Sequence, residues 1–410
     1  MSVTPYRIDV PAAVLDDLAD RLRGTRWPDD LEGAEPWSYG VDPSWLRGVV
    51  RHWLDGYDWA AQQARLNREE HVRVDGFTDV PEDLAVHAVL RRGVRTGDQP
   101  APLPLVLLHG WPSSFVQMLP MLPLLTDPAA HGGSAEDAFD VVALSLPGYG
   151  FSDRPRRPGT DVAAIARIVV QVMEQLGHPR FGVRASDLGA GVAQQLALAA
   201  PEHLVGLHLS GTNPYLGWVP DDLSPAEEEF VRRAREWNAT EMAYAMEHST
   251  KPQTLAHALS DSPAGLAAWV LEKFHRWTDG DLEEVYALDD LLTNLTIYWV
   301  TGTIGSSIRL YAETARSTSA AWGRVEVPTG MAMSDADMFP TPREWAERSY
   351  AVTSWTELPR GGHFLEWEVP ELVARDVRAF FRELRTAPAA PRSRSAGAPT
   401  VDAGRAQDAS

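Results

Sequence analysis

Residues 184–191, RASDLGAG, follow a short apolar run and open an Ala-rich stretch with helical periodicity. A nucleophile on a strained strand-to-helix turn needs small residues two positions before and two positions after it, because the backbone doubles back there. Centring the turn on Asp187 places Ala185 and Gly189 at these positions. Centring it on Ser186 would place an arginine and a leucine there. The pattern favours Asp187 as the nucleophile, and a plain helix cap is the alternative for this aspartate.

Apolar runs alternate with helical patterns around this turn. LPLVLLHG, FDVVALSLPG, RFGVRAS and LVGLHLSG have the pattern of strands, and DVAAIARIVVQVMEQLG and LGAGVAQQLALAA have the pattern of helices. Strands that are apolar throughout and separated by helices predict a parallel sheet covered on both faces. A helical, Trp/Tyr-rich insert follows, and strand character resumes in VPTGMAM and AVTSWTEL. The sequence predicts an α/β fold whose insert forms a cap over the carboxyl ends of the strands.

We divide the chain into five regions on this basis. The Trp-rich helical patterns before the sheet do not reveal what they pack on, and the last residues are small, polar and without apolar period. The regions are an amino-terminal segment (1–95), the first part of the core (96–212), the cap (213–322), the second part of the core (323–386) and a disordered tail (387–410).

The composition excludes several classes of function. A formal net charge of -20, spread along the chain, argues against nucleic acid as a partner. The absence of cysteine excludes disulfides, thiolate metal sites and a cysteine nucleophile. No apolar stretch approaches the ~18 residues of a membrane span, and the first residues lack a signal-peptide pattern. We therefore expect a cytoplasmic protein without a membrane anchor.

An aspartate nucleophile requires a second set of groups. Attack on carbon forms an alkyl-enzyme ester, and its hydrolysis needs a histidine to deprotonate water and a carboxylate to orient that histidine. His363, in PRGGHFLE, lies on a glycine-preceded loop after the last predicted strand. Asp335 and Asp337 both follow the strand VPTGMAM, and spacing does not choose between them. The order nucleophile, acid, histidine is that of hydrolases built on such a sheet.

The ester also needs N–H donors for its oxyanion. The loop HGWP, residues 109–112, follows the first strong strand. The backbone N–H groups of Trp111 and of Leu188, the residue after the nucleophile, are the natural donors. We also anticipate a cis bond between Trp111 and Pro112. An ordinary Gly-Pro turn is the alternative interpretation of this loop.

Several motifs taken together resemble one family. HGWPSSF, LPGYGFSDRP, SDLGAGVAQQLA, STKPQTLAHALSDSPAGLAAWVLEKF, YWVTGTIGSSIRLYAE and PRGGHFLEWEVPEL are similar, in this order, to the epoxide hydrolases of the α/β-hydrolase fold, specifically the microsomal-type group. The resemblance extends to about residue 385 and implies an amino-terminal meander that wraps the cap and the core. It implies a cofactor-independent and metal-independent enzyme that opens epoxides to vicinal diols. It also suggests a homodimer.

The resemblance assigns roles residue by residue. It places the nucleophile on Asp187, the water-activating histidine on His363 and the charge-relay acid on Asp337. Two cap tyrosines that donate hydrogen bonds to the epoxide oxygen fall on Tyr244 and Tyr311. A phenol suits that role because its pKa of about 10 keeps it protonated at neutral pH. Tyr298 is the nearest competitor for it.

One departure from the family bears on the substrate. Many relatives have tryptophan where this chain has Leu188, and the DLGAG turn resembles bacterial enzymes of enediyne antibiotic pathways, which open aryl-substituted epoxides. Three other functions are compatible with the pattern: a haloalkane dehalogenase with the same Asp and His chemistry, an esterase using Ser186, and an inactive scaffold that only binds. Leu188 cannot donate the indole N–H that commonly holds a departing halide, which disfavours the first of these.

Overall fold

The computed structural model describes residues 1–95, 97, 101–211, 219–321, 323–338 and 340–386. Its centre is a nine-stranded sheet with the order β1-β2-β3-β5-β4-β6-β7-β8-β9. The strands are β1 (Ser2–Tyr6), β2 (Glu70–Asp75), β3 (Val86–Arg91), β4 (Leu103–Leu108), β5 (Phe139–Leu144), β6 (Phe181–Ser186), β7 (Leu204–Ser210), β8 (Val325–Met333) and β9 (Tyr350–Glu357). The first three strands and their junction with β5 are antiparallel, and all pairs from β5 to β9 are parallel.

Helices lie between and after these strands. The amino-terminal helices are α1 (Ala12–Arg23), α2 (Pro43–Asp55) and α3 (Trp59–Leu66). Within the core lie α4 (Met121–Thr126), α5 (Val162–Gln175) and α6 (Asp187–Ala199). Between β7 and β8 come α7 (Pro225–Glu241), α8 (Ala243–Thr250), α9 (Pro252–Asp261), α10 (Pro263–Trp277), α11 (Leu282–Val285), α12 (Leu288–Thr301) and α13 (Ile304–Ala315). The last helices are α14 (Arg343–Ser349), α15 (Leu365–Glu368) and α16 (Pro370–Thr386).

The predicted α/β-hydrolase fold with a mostly parallel sheet is confirmed. The four predicted strands around the RASDLGAG turn are β4 to β7, and the described part of the insert between β7 and β8 is helical, which we call the cap. The predicted tail at 387–410 lies outside the described residues. No helix in the described ranges has the length and apolar character needed to cross a membrane.

Strands β1 to β3 were not predicted. The sequence predicts only helices among the first hundred residues, whereas three antiparallel strands there extend the sheet beyond β5. β1 is a five-residue edge strand, SVTPY, of which all but Tyr6 are exposed. A short strand with two exposed faces and a proline has no apolar alternation, which is the signal on which strand prediction depends.

Alternate side chains of β4 supply both faces of the core. Val106 and Leu108 pack in one cluster with side chains of α5 and α6, and Leu105 and Leu107 pack in a second cluster with side chains of α4 and α16. All four residues are completely buried. Because successive strand residues point to opposite faces, a run that is apolar at every position requires helices on both sides.

The amino-terminal helices pack on the cap. On α2, His52 Nε2 lies 2.7 Å from Asp289 Oδ1, and Trp53 Nε1 donates a hydrogen bond of 3.0 Å to Thr296 Oγ1. On α3, Arg65 forms a 2.6 Å ion pair with Asp290. All three partners belong to α12, so the amino-terminal helices hold the cap through polar contacts.

A buried hydrogen-bond chain joins β2, β3 and the loop after β5. His71 Nε2 contacts the Leu66 carbonyl at 2.8 Å, His71 Nδ1 contacts His87 Nε2 at 2.8 Å, and His87 Nδ1 contacts Ser145 Oγ at 2.8 Å. Since a carbonyl only accepts, His71 donates through Nε2 and accepts through Nδ1 when neutral. Burial lowers the pKa of both histidines, and the neighbouring His71 and Arg73 lower that of His87 further.

These two depressed pKa values predict a loss of stability in acid. We expect the free energy of unfolding to fall as the pH drops below about 6.5, because the unfolded chain then binds protons that native His71 and His87 resist. Replacing one of them, His87→Phe, should make the decline shallower by up to ~1.4 kcal/mol per pH unit. Urea unfolding between about pH 7.5 and about pH 5.5 measures this slope. The control is His131→Phe, at an exposed histidine. Equal slopes for the His87 variant and the parent protein would contradict the assignment.

Candidate active site

Asp187 stands on a strained turn between β6 and α6. Its φ of 51° lies in the left-handed region, which non-glycine residues rarely adopt. A Cβ at Gly189 would lie 2.4 Å from the Leu108 carbonyl oxygen, and a Cβ at Gly110 would lie 2.1 Å from Asp187 Oδ1. Both positions therefore require glycine. The small residue predicted two positions after Asp187 is forced by the backbone of β4.

The Asp187 carboxylate is held by the loop that follows β4. The Trp111 backbone N–H donates a hydrogen bond of 2.9 Å to Asp187 Oδ1. Leu188 is the second residue of α6, where backbone N–H groups have no acceptor within the helix. Ser186 is buried at the end of β6, and its side chain does not cap the helix. The structure thus brings Asp187 together with Trp111, one of the two predicted oxyanion donors.

Hydrogen bonds of the buried His109 side chain hold the loop after β4 on its core side. His109 Nδ1 lies 3.0 Å from the Gly110 carbonyl, and the Leu146 N–H donates to His109 Nε2 at 3.3 Å. Complete burial lowers the pKa of His109 to about 4, so the ring is neutral and donates through Nδ1. This neutral histidine fixes the direction of the Gly110 carbonyl.

The cap holds the loop from the other side. Asn294 Nδ2 donates to the Pro112 carbonyl at 2.9 Å, and the Tyr298 hydroxyl donates to the Ser113 carbonyl at 2.7 Å. Both side chains come from α12. The Trp111–Pro112 bond is cis, as anticipated. Tyr298, the competitor for the role of cap donor, has its hydroxyl proton engaged by the loop backbone.

His363 bridges two carboxylates. Its Nδ1 lies 2.9 Å from Asp337 Oδ1, and its Nε2 lies 3.4 Å from Asp187 Oδ2. Asp335 is exposed to solvent, so the structure separates the two acids that spacing left equivalent. The His363 backbone N–H donates to the Trp277 carbonyl, at the end of α10, at 2.7 Å. The cap therefore also positions the histidine loop.

The two carboxylates control the charge of this imidazole. Burial alone would lower the pKa of His363, but the charge of Asp337, together with the hydrogen bonds and charge of Asp187, raises it to about 10. At neutral pH the ring is therefore an imidazolium between two carboxylates. Such an array can attack an electrophile through Asp187, and it can deprotonate water only after the ring has lost its proton.

The two predicted cap tyrosines face the loop from α8 and α13. The ring of Tyr244 stacks on Trp111 with centroids 5.3 Å apart, and the ring of Tyr311 meets Trp111 edge to face at 6.2 Å. Their own ring centroids are 6.2 Å apart. Both tyrosines are buried. They lie together against the tryptophan whose backbone contacts Asp187.

Three further residues of the site were missed by sequence reasoning. The Trp277 ring lies 5.3 Å from both His363 and Tyr244, and Lys273 Nζ lies 4.9 Å from the centre of the Tyr244 ring. The buried His248 ring lies 5.5 Å from Tyr244 on the same helix. Spacing in the sequence could have identified His248, since it follows Tyr244 by four residues and therefore shares its helix face.

Within the described ranges, no group of three or more His, Asp or Glu side chains is arranged to hold a metal ion. The titratable side chains of Asp187, His363 and Asp337 contact one another in this order. The Trp111 backbone N–H also donates to Asp187. This arrangement is chemically equipped for nucleophilic attack followed by base-assisted hydrolysis.

Comparison with known proteins places the chain in a family. Residues 3–118 match the family described as epoxide hydrolase N terminus, and residues 104–290 match the alpha/beta hydrolase fold. A Stigmatella aurantiaca (strain DW4/3-1) protein assigned to the epoxide hydrolases is 41% identical, over 93% of this chain and 86% of that protein. Epoxide hydrolase 1 of Oryctolagus cuniculus is 35% identical, over 92% and 88%.

Solved structures agree with the sequence comparisons. The crystal structure of juvenile hormone epoxide hydrolase from the silkworm Bombyx mori superimposes with a TM-score of 0.79 at 29% identity, over 94% of each chain. The match thus includes the sheet, the cap and the amino-terminal segment. The chain belongs to the epoxide hydrolase family, a group of hydrolases with the α/β-hydrolase fold.

Proposed function

We propose that this protein hydrolyses an epoxide to a vicinal diol through a covalent ester on Asp187. The observation that carries the proposal is the line of contacts from Trp111 N–H through the Asp187 carboxylate and His363 to Asp337. Oδ1 of Asp187 is held by the Trp111 amide, which leaves Oδ2 as the attacking atom. The same amide is then in place for the ester carbonyl oxygen.

Ring opening forms the ester. Asp187 Oδ2 attacks one epoxide carbon, the carbon–oxygen bond of that carbon breaks, and the oxygen takes a proton from Tyr244 or Tyr311. The proton on the His363 imidazolium replaces the one that the phenol gave up. The net result is an alkyl ester, a hydroxyl group on the substrate and a neutral His363. Charge is conserved, because one carboxylate and one imidazolium disappear together.

Ester formation prepares the histidine for the second step. One of the two anions that raise the pKa of His363 is lost when Asp187 becomes an ester, so the pKa falls from about 10. Neutral His363 then takes a proton from water, and the hydroxide attacks the ester carbonyl carbon. The Trp111 and Leu188 N–H groups stabilise the oxyanion. Collapse expels the alkoxide, which takes the proton of the attacking hydroxyl group, so the diol leaves and Asp187 is again a carboxylate beside the imidazolium.

Aromatic side chains near Asp187 support an aryl-substituted substrate. The buried rings of Trp111, Tyr244, Trp277 and Tyr311 pack on one another next to the loop that holds Asp187. Aromatic side chains favour an aryl group as a neighbour. We therefore assign an aryl-substituted epoxide as the substrate. An enediyne precursor is a narrower hypothesis that rests on the DLGAG turn, and a cytoplasmic homodimer likewise stays a prediction.

A single turnover tests the ester mechanism. Excess enzyme with styrene oxide in heavy-oxygen water should give unlabelled diol in the first turnover and place the label in the peptide that contains Asp187, because water attacks the ester carbonyl. Mass spectrometry of diol and peptide measures both. Asp187→Ala is the control and should abolish turnover. Labelled diol with an unlabelled peptide would mean that water attacks the epoxide directly.

Removal of the base should trap the ester. His363→Gln should slow ester hydrolysis by about 10³-fold, because Gln cannot deprotonate water. A burst of alkylated enzyme in intact-protein mass spectrometry is the expected result. Asp335→Asn provides a control, since this exposed acid lies two residues from the relay acid. Full steady-state turnover by the His363 variant would refute the role of the imidazole.

Loss of both phenols should stop ring opening. Tyr244→Phe and Tyr311→Phe should each slow ester formation by about tenfold, since the partner still donates, and the double variant should lose about 10³-fold. Quench-flow measurement of the ester isolates this step from its hydrolysis. Unchanged ester formation in the double variant would show that the epoxide oxygen takes its proton elsewhere.

A further inference from the structure

Three buried ring N–H groups of the site have no hydrogen-bond acceptor. They are Trp111 Nε1, Trp277 Nε1 and His248 Nδ1, on side chains that are 0%, 1% and 0% exposed. In the described part of the chain, every fully buried ring nitrogen without a partner belongs to this group. Buried polar groups in folded proteins are almost always paired, so a cluster of unpaired donors calls for an explanation in terms of a ligand.

The protonation state of His248 is fixed by its neighbour. Trp269 Nε1 donates a hydrogen bond of 3.1 Å to His248 Nε2. An indole N–H can only donate, so Nε2 is the acceptor and the proton of the neutral ring lies on Nδ1. Burial and the nearby Lys273 lower the pKa of His248 to about 3, which keeps the ring neutral over the physiological range. His248 Nδ1 is therefore a neutral hydrogen-bond donor.

The three rings that carry these donors lie among side chains of the proposed active site. The His248 ring is 4.7 Å from Trp111 and 5.0 Å from Tyr311. Trp277 is 6.3 Å from Trp111 and 5.3 Å from His363. All of these contacts connect the donors to residues that surround the reacting atoms.

We propose that His248, Trp111 and Trp277 form a subsite for a neutral oxygen acceptor, an ether, carbonyl or hydroxyl group, carried by the epoxide substrate close to its oxirane ring. The inference rests on the proposed function and narrows its substrate class. A neutral acceptor suits the site because all three donors are uncharged, and an anion would face the carboxylates of Asp187 and Asp337.

A pair of isosteric substrates tests this subsite. Benzyl glycidyl ether and 5-phenyl-1,2-epoxypentane differ only in one ether oxygen replaced by a methylene group. The parent enzyme should prefer the ether by about tenfold in kcat/KM, the value of one neutral hydrogen bond of ordinary strength. His248→Phe should reduce this ratio to about one, and His248→Gln, which keeps an N–H donor, should retain part of it. The ratio cancels any loss of activity that is common to both substrates.

Two controls make the outcome decisive. His257→Phe changes an exposed histidine of the cap and should keep the preference of the parent enzyme. Calorimetric binding of both epoxides to Asp187→Asn measures the preference without turnover. Absence of turnover with a retained binding preference would refute the proposed function and support the subsite. Turnover with no preference for the ether, or a preference that persists in His248→Phe, would overturn the subsite.

Discussion

The left-handed backbone at Asp187 is the constraint on which the site depends. In the parallel pairing of β4 and β6, Leu108 is the partner of Ala185, so the loops that leave these strands begin side by side. The chain can then turn into α6 only if Gly189 carries no side chain against the β4 backbone. Gly110 likewise cannot carry a side chain, because the Asp187 carboxylate occupies the space that a Cβ at this position would need. The turn therefore fixes the positions of Asp187, the proposed nucleophile, and of the Trp111 N–H group beside it.

Residues of the cap position the two loops that carry Trp111 and His363. Asn294 and Tyr298 donate to backbone carbonyls of the loop after β4, and the Trp277 carbonyl accepts from the His363 N–H. The amino-terminal helices in turn contact α12 through hydrogen bonds and an ion pair. Displacement of the cap would thus move Trp111 and His363 together, because the loops that carry them are both hydrogen-bonded to cap residues.

The predictable parts of the site are those with local physical causes. Asp187 is the proposed nucleophile on local grounds, because the turn demands small flanking residues. His363 is the proposed base because it follows a glycine pair after the last strand. Asp337 and Tyr244 needed the family resemblance, because the choice between two acids, or between buried tyrosines, is made by packing between distant segments. Strands β1 to β3 were missed for a related reason. Their pairing is long-range, β1 carries no apolar alternation, and β2 has only two alternating valines, in EHVRVD.

The role of the buried charge on Arg184, just before the turn, could not be predicted from the neighbouring sequence. Arg184 looked merely too large for the turn, yet it is fully buried in β6 and forms a 2.9 Å ion pair with buried Glu366. Gln117 Nε2 donates to the other Glu366 oxygen at 2.7 Å. Arg184 precedes the nucleophile by three residues, and Glu366 follows His363 by three. Because an uncompensated buried charge costs about 3–5 kcal/mol, neither segment can shift without the other. The ion pair thereby couples the position of Asp187, the proposed nucleophile, to that of His363, the proposed base.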